Sequence, residues 1–342
     1  MKSPRSAAVL KEKHLYPALV RHMTTKGFSE VVGAASDRKL VLPVVLQEVD
    51  ALGCRWTDDN DVDAWAVEVK RGVARGDVRA AFAQAVAYSA VVPRVSIGTP
   101  AGRLDLEEIR PHMKRLGLGH VSISPSGTSD GEPPDQAVLF QRELFFQTTR
   151  HAAVLLLLAR ERFGADADLR PHAGVWQDVH EAPSDPPCIP GSWGFAVHTM
   201  LPVQWMFWIR RGPGEIIASL WIENRPHHAH LPDSEGALRR AIPVRDDLIL
   251  GVWPRRYRQG GVRPPASKCR SGCSPDDLPA LMRYVRAVLD EKGVSPRFSI
   301  GLRLWTTDQR PTRSEADARL RSAMEALSPV RQILEDAVGD CA

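Results

Sequence analysis

The sequence predicts an α/β chain: a three-layer core with a mixed sheet and helices on both faces, followed by an α+β C-terminal domain. Three observations predict it. Residues Trp65–Lys70 alternate apolar and other side chains with a period of two, the mark of a strand. Through residue 124, short β-branched stretches alternate with helical patterns in the order helix, strand, strand, strand, helix, strand, helix, strand. A Pro-, Gly- and Ser-rich run at 125–135 then separates this block from a second one. A length of 342 residues suits two domains, divided here into 1–125, a linker at 126–135, and 136–342.

Composition narrows the class. Hydrophobic content of 43% supports ordinary cores, and a net charge of +4 neither demands nor excludes nucleic acid, because a local basic groove matters more than the sum. Five cysteines suggest a reducing compartment without a disulfide framework. Residues 1–30 show no signal-peptide core, and the longest apolar run, Ala152–Ala159, is too short to span a bilayer. The expectation is a cytoplasmic protein with no membrane partner.

In chain order, Glu12, Leu15, Tyr16, Leu19 and Met23 recur at helical spacing with Gly27 as a stop, which would put Glu12 on the apolar stripe; Pro17, which kinks or starts a helix, offers the alternative of Glu12 in a separate turn ahead of the main helix. Val44–Gly53 reads as a strand that bends at Gly53 and carries Asp50 near its end. The polar turn Thr57–Asp61 leads into the Trp65–Lys70 strand as an antiparallel hairpin, so Asp50 and Glu68 can be neighbours. Residues 76–90 read as a helix with Phe82, Val86 and Ala90 inward, residues 104–116 as another, and strands are expected near Val95 and at His120–Ser124. Beyond the linker, Gln136–Phe163 reads as one long helix. Val203–Ile209 and Glu215–Glu223 form a hairpin around Gly212-Pro213-Gly214. Elements at 248–253, 276–292, 297–305 and 314–337 complete the second domain.

On the central strand, Ala66, Glu68 and Lys70 share one face, and Trp65, Val67 and Val69 the other. A charge on an otherwise apolar strand costs several kcal/mol unless it is paired or binds a metal. Phosphodiester hydrolysis uses such a set. Carboxylates hold a divalent metal through oxygen, the metal activates water, and a nearby cation steadies developing charge. Asp50, Glu68 and Lys70 would supply it, with the Val69 carbonyl as a further metal ligand and Glu12 completing the shell. Gln84 and Tyr88, four apart on one helix face, could contact phosphate or order the waters. Glu48, Asp61 and Asp63 are rivals to Asp50.

These residues, in this order, resemble the PD-(D/E)xK nuclease superfamily, the restriction-endonuclease-like fold. The resemblance covers residues 10–124 and rests on Glu12 with Leu15-Tyr16-Pro17, Val49-Asp50-Ala51-Leu52-Gly53, Val67-Glu68-Val69-Lys70, Gln84-x-x-x-Tyr88, and Gly117-Leu118-Gly119-His120-Val121. Val49 stands where the family commonly has proline. The resemblance implies that Asp50 and Glu68 ligate Mg2+ (or Mn2+) and that Lys70 assists the water. Gln84 and Tyr88 match an accessory motif of one branch. It implies a DNA endonuclease in a restriction, defence or repair setting, for which a homodimer is a natural state. The alternative is a non-catalytic nucleic-acid-binding or sensor protein that retains the fold.

In the second domain, Arg255, Arg256 and Arg258, with Arg263, Lys268 and Arg270 nearby, form the best candidate phosphate-contacting cluster. Trp193, Trp205, Trp208, Trp221, Trp253 and Trp305 are expected mostly in the core. Cys269 and Cys273 with His227, His228 and His230 could make a zinc site, but the histidines lie far off in sequence.

Overall fold

A computed structural model of the chain describes residues 11–33, 40–42, 47–59, 61–71, 75–101, 108–124, 129–164, 167–171, 193–198, 203–210, 214–222, 229–256, 268–291 and 294–339. The chain divides into two compact units, Met1–Ala153 and Val154–Ala342. Both mix helices with sheet, so the α/β class holds.

In chain order the first unit carries α1 (Tyr16–Thr25), β1 (Glu30–Val32), β2 (Leu40–Leu42), β3 (Gln47–Val49), β4 (Ala51–Trp56) and β5 (Val62–Val69). It continues with α2 (Arg75–Tyr88), β6 (Arg94–Pro100), α3 (Arg110–Leu116), β7 (Gly119–Ile123), β8 (Ser129–Asp130) and α4 (Arg142–Gln147); α5 (Thr149–Phe163) runs across the division. The sheet order is β1-β4-β5-β6-β7-β8, and β2 pairs with β3 apart from it. The β1, β4 and β5 pairings are antiparallel, β5, β6 and β7 run parallel, and β8 returns antiparallel. Parallel neighbours need a crossover, which α2 and α3 provide.

Every residue of β5 is buried, which makes it the central strand. From Trp65 on, its odd-numbered face is apolar. Trp65, Val67 and Val69 join Leu15, just before α1, and Ala18, Leu19 and Met23 of α1, with Phe28, Val121 and Ile123, in one core. Each large apolar side chain so buried contributes roughly 1.5–3 kcal/mol. The other face carries Ala66 and Glu68 and meets α2, whose Tyr88 reaches Glu68. Pro17 sits in the first turn of α1, where its missing N–H costs nothing, and Glu12 falls in a separate 3-10 turn, Glu12–His14.

Four expectations are corrected. The bend falls at Asp50, between β3 and β4, and Gly53 lies inside β4. A Cβ on Gly53 would come within 2.8 Å of Met23 and 3.1 Å of Phe28, so glycine is there for close helix packing and not for a turn. Residues 129–130, expected in the linker, form β8 instead, pairing Ser122 with Asp130 and Ile123 with Ser129. The backbone bonds from Ala137 N to Pro93 O and from Gln141 N to Ala90 O carry the first unit well past residue 125. On α2 the buried residues are Ala81, Ala85 and Tyr88, with Phe82 half-buried against His112, because the helix turns Tyr88 toward Glu68. The long helix of 136–163 is two helices, broken at Thr148, whose backbone leaves the helical region.

The second unit adds β9 (Asp168–Pro171), β10 (Trp193–His198), β11 (Val203–Arg210), β12 (Glu215–Ile222), α6 (Glu235–Ala241), β13 (Leu248–Arg256), β14 (Lys268–Ser271), α7 (Leu278–Asp290), β15 (Val294–Thr306) and α8 (Arg313–Gly339). Its antiparallel sheet has the order β14-β13-β15-β12-β11-β10-β9. Trp205, Trp208, Trp221, Trp253 and Trp305 are buried in it, as expected of core residues. Trp221 stacks on Trp253 with ring centres 5.1 Å apart, and Trp208 meets both edge-on.

Candidate functional site

Asp50, in the bend just before the Ala51–Val67 pair, is held at the end of β5 by the Val69 backbone N–H and so lies beside Glu68. Both are buried, with 6% and 2% of their surface exposed. Each carboxylate oxygen accepts a hydrogen bond. Asp50 Oδ1 takes the Tyr16 hydroxyl at 2.9 Å, and Oδ2 takes the Val69 backbone N–H at 2.8 Å. Glu68 Oε1 takes Lys70 Nζ, and Oε2 takes the Tyr88 hydroxyl at 2.8 Å. Gln84, one helical turn before Tyr88, hydrogen-bonds the Tyr88 side chain.

The electrostatics follow from this packing. Burial, and then the charge of Asp50, push the Glu68 carboxyl up to about 7, against the opposing pull of Lys70 and Tyr88. Burial alone would lower Lys70. The bond to Glu68 and its charge, with Asp50 and Glu12 behind it, outweigh burial and hold the ammonium above its usual range. Tyr16 and Tyr88 are raised too, first by burial and then by the carboxylate each one serves. Both phenols therefore stay protonated as donors.

The structure thus brings together Asp50, Glu68, Lys70, Gln84 and Tyr88. Glu12 is half-buried in its own turn, and its charge is felt by both Tyr16 and Lys70. The backbone N–H of Val69 serves Asp50, a role distinct from the carbonyl role expected of that residue. Two rivals to Asp50 are occupied elsewhere. Asp63 accepts from Arg55 and Arg94, and Asp61 from Arg150. The Glu48 side chain lies outside the described residues. So do the side chains of Arg255 and Arg256, the whole of Arg258 and Arg263, and His227 and His228. Cys269 and Cys273 are buried free thiols. Tyr16 was missed as a site residue; its position one helical turn after Glu12 was the available signal.

The donor set fits a hard divalent cation. Two buried carboxylates stand beside a single ammonium, with the Glu12 charge also felt at Lys70; the Glu68 carboxyl is raised first by burial and then by Asp50. Each oxygen keeps a second lone pair beyond the hydrogen bond it accepts. Among the described residues no group of three or more His, Cys, Asp or Glu is placed to hold a metal ion. Magnesium is commonly held by one or two carboxylates, with waters and substrate oxygens completing its shell. Among the described residues no helix is long and apolar enough to cross a membrane.

No protein-family model, no curated protein and no solved structure matches the chain.

Proposed function

We propose that the first unit is a divalent-metal-dependent nuclease of the PD-(D/E)xK, restriction-endonuclease-like type, acting on DNA in the cytoplasm. The observation that carries this reading is two buried carboxylates, Asp50 in the bend before β4 and Glu68 on β5, brought together at the end of β5 with Lys70 bonded to one of them. Asp50 and Glu68 would hold Mg2+ or Mn2+ with the Val69 carbonyl. When bound, such an ion lowers the pKa of a water and neutralises phosphate charge.

The chain's own residues do the rest. Tyr16 and the Val69 N–H fix both oxygens of Asp50. Tyr88, steadied by Gln84, fixes Glu68 from the helix side. Lys70, charged at neutral pH, serves as a donor that orients the attacking water and stabilises the phosphate charge, and not as a base. Glu12 adds negative potential where the cation would sit. In this reading the second unit binds substrate or a partner, and a homodimer would set two such centres against two strands.

One observation favours the second reading, a binding or sensor protein that keeps the fold without cutting: all four carboxylate oxygens already accept hydrogen bonds from the protein. The test is cleavage of plasmid DNA, linear duplex and single-stranded DNA and RNA with Mg2+ or Mn2+. Wild type should cut, and Glu68→Ala and Lys70→Ala should not. Equal cutting by the variants would refute the site, and binding without cutting would favour the sensor reading.

A further inference from the structure

The register of the three parallel strands extends the polar face of β5 to residues assigned no site role above. Glu68 is paired with Ile97, and Ile97 with His120, so the three side chains project from one face in a row across β5, β6 and β7. One step further on, Val69 pairs with Gly98 and Thr99 with Ser122, which puts Lys70, Thr99 and Ser122 in a second row on that same face. The Lys70, Thr99 and Ser122 row lies towards the carboxyl ends of the parallel strands, the side on which open α/β sheets present their ligand sites, and His120 reaches it from near the start of β7 through Thr99. The opposite face is committed to core by Val67, Val69, Val121 and Ile123.

Thr99 and His120 meet within this strip. Thr99 Oγ1 and His120 Nε2 are 2.8 Å apart; Thr99 is buried and His120 is half-buried. We infer that His120, oriented by Thr99, is a further residue of the site that donates a hydrogen bond to the substrate's phosphodiester backbone beside the scissile group. In this assignment the Thr99 hydroxyl donates to Nε2, which would leave the imidazole proton on Nδ1 as the N–H that meets the substrate. Two strand spacings separate His120 from Glu68, about 10 Å between backbones. That distance places His120 next to the reacting phosphate and not on it. His120 is therefore a binding contact, and Thr99 a positioning residue. Burial, with the Arg110 charge second, holds the imidazole below its ordinary range, so at neutral pH it offers a neutral N–H and not a cation.

The inference rests on the nuclease reading, and one experiment separates the two. Cleavage of a fluorescein-labelled duplex and of its single strand is followed with Mg2+ for wild type, His120→Ala, His120→Gln, Thr99→Val and Lys70→Ala. Thermal melting confirms that each protein is folded. His120→Ala should raise KM about tenfold with kcat within twofold. His120→Gln, which keeps an N–H donor, should recover much of the loss, and Thr99→Val should show a smaller rise in KM. An active wild type and a dead Lys70→Ala beside an unchanged His120→Ala would overturn the His120 assignment and leave the nuclease standing. A fall in kcat alone, with KM unchanged, would overturn it too. A wild type that cuts neither strand overturns both readings. If His120→Ala does not fold, His120→Leu, which lacks a donor, carries the comparison of KM against His120→Gln, and equality of His120→Leu with wild type refutes the contact.

Discussion

The hydroxyl of Tyr88 donates to Glu68 Oε2 at 2.8 Å, joining the last turn of α2 to the central strand at a fully buried point. That bond stabilises the ionised carboxylate, and its loss has a defined sign. Tyr88→Phe should push the Glu68 carboxyl further up and cost roughly 1.5–3 kcal/mol, the range for a hydrogen bond to a charged group. Urea unfolding measures the loss. A shift of the acidic limb of the pH–rate profile to higher pH measures the change at Glu68.

Glu68 also makes the metal-free protein pH-sensitive. Its folded carboxyl lies near 7 against an ordinary 4.5, so between those values the folded state binds more protons than the unfolded state. This contribution to stability is therefore complete below about pH 4.5 and is lost as pH rises through 7, on the order of 3 kcal/mol. Lys70, whose ammonium is raised, stays charged throughout this window. Melting curves in EDTA from pH 4.5 to 8 should show wild type losing stability relative to Glu68→Gln. Parallel curves would disprove the shift. Adding Mg2+ at pH 7 should restore stability to wild type and not to Glu68→Gln, because a bound cation favours the ionised carboxylate.

Tyr16 holds Asp50 from α1, so in the nuclease reading it would touch the carboxylate that ligates the cation and not the cation itself. Residues of this kind typically change metal affinity by ~10–100-fold when removed. Tyr16→Phe should raise the Mg2+ concentration for half-maximal cleavage by about tenfold, with near-normal rates at saturating Mg2+. A normal Mg2+ dependence with a reduced maximal rate would point away from this role.

Asp63 provides the contrast. It accepts from Arg55 Nη2 at 2.8 Å and from Arg94 Nε at 2.8 Å, tying β4, β5 and β6 together, and Arg94 also donates to Pro134 O. Asp63→Asn should destabilise the unit by roughly 2–3 kcal/mol, below the cost for a fully buried pair because both arginines are partly exposed. Metal dependence of cleavage at low temperature should not change. A change there would return Asp63 to the list of candidate ligands.

Several features were legible in the chain because they are local. A period of two at Trp65–Lys70 was enough to put Glu68 and Lys70 on one face, and the buried core on the other face agrees with it. The polar turn before β5 was enough to bring Asp50 beside Glu68, and the antiparallel register agrees. The i, i+4 spacing of Gln84 and Tyr88 placed them together on α2. The break at Thr148 and the β8 pairing were not legible. A Pro- and Gly-rich stretch suits an edge strand as well as a linker, and only the neighbouring strand decides which.

By itself, then, the sequence determined the mixed helix–strand class, the strand that holds Glu68 and Lys70, and which residues face away from the core. These follow from side-chain period and turn chemistry, which act over a few residues. The tertiary structure alone showed that Asp63 and Asp61 are engaged by arginines and not by the Glu68 site. It also decided that Tyr16, 34 residues from Asp50, would hold it, and that His120 would join the Glu68 row. Such choices depend on strand order and register, which are set by burying one face of the whole sheet at once and leave no periodic trace in the chain.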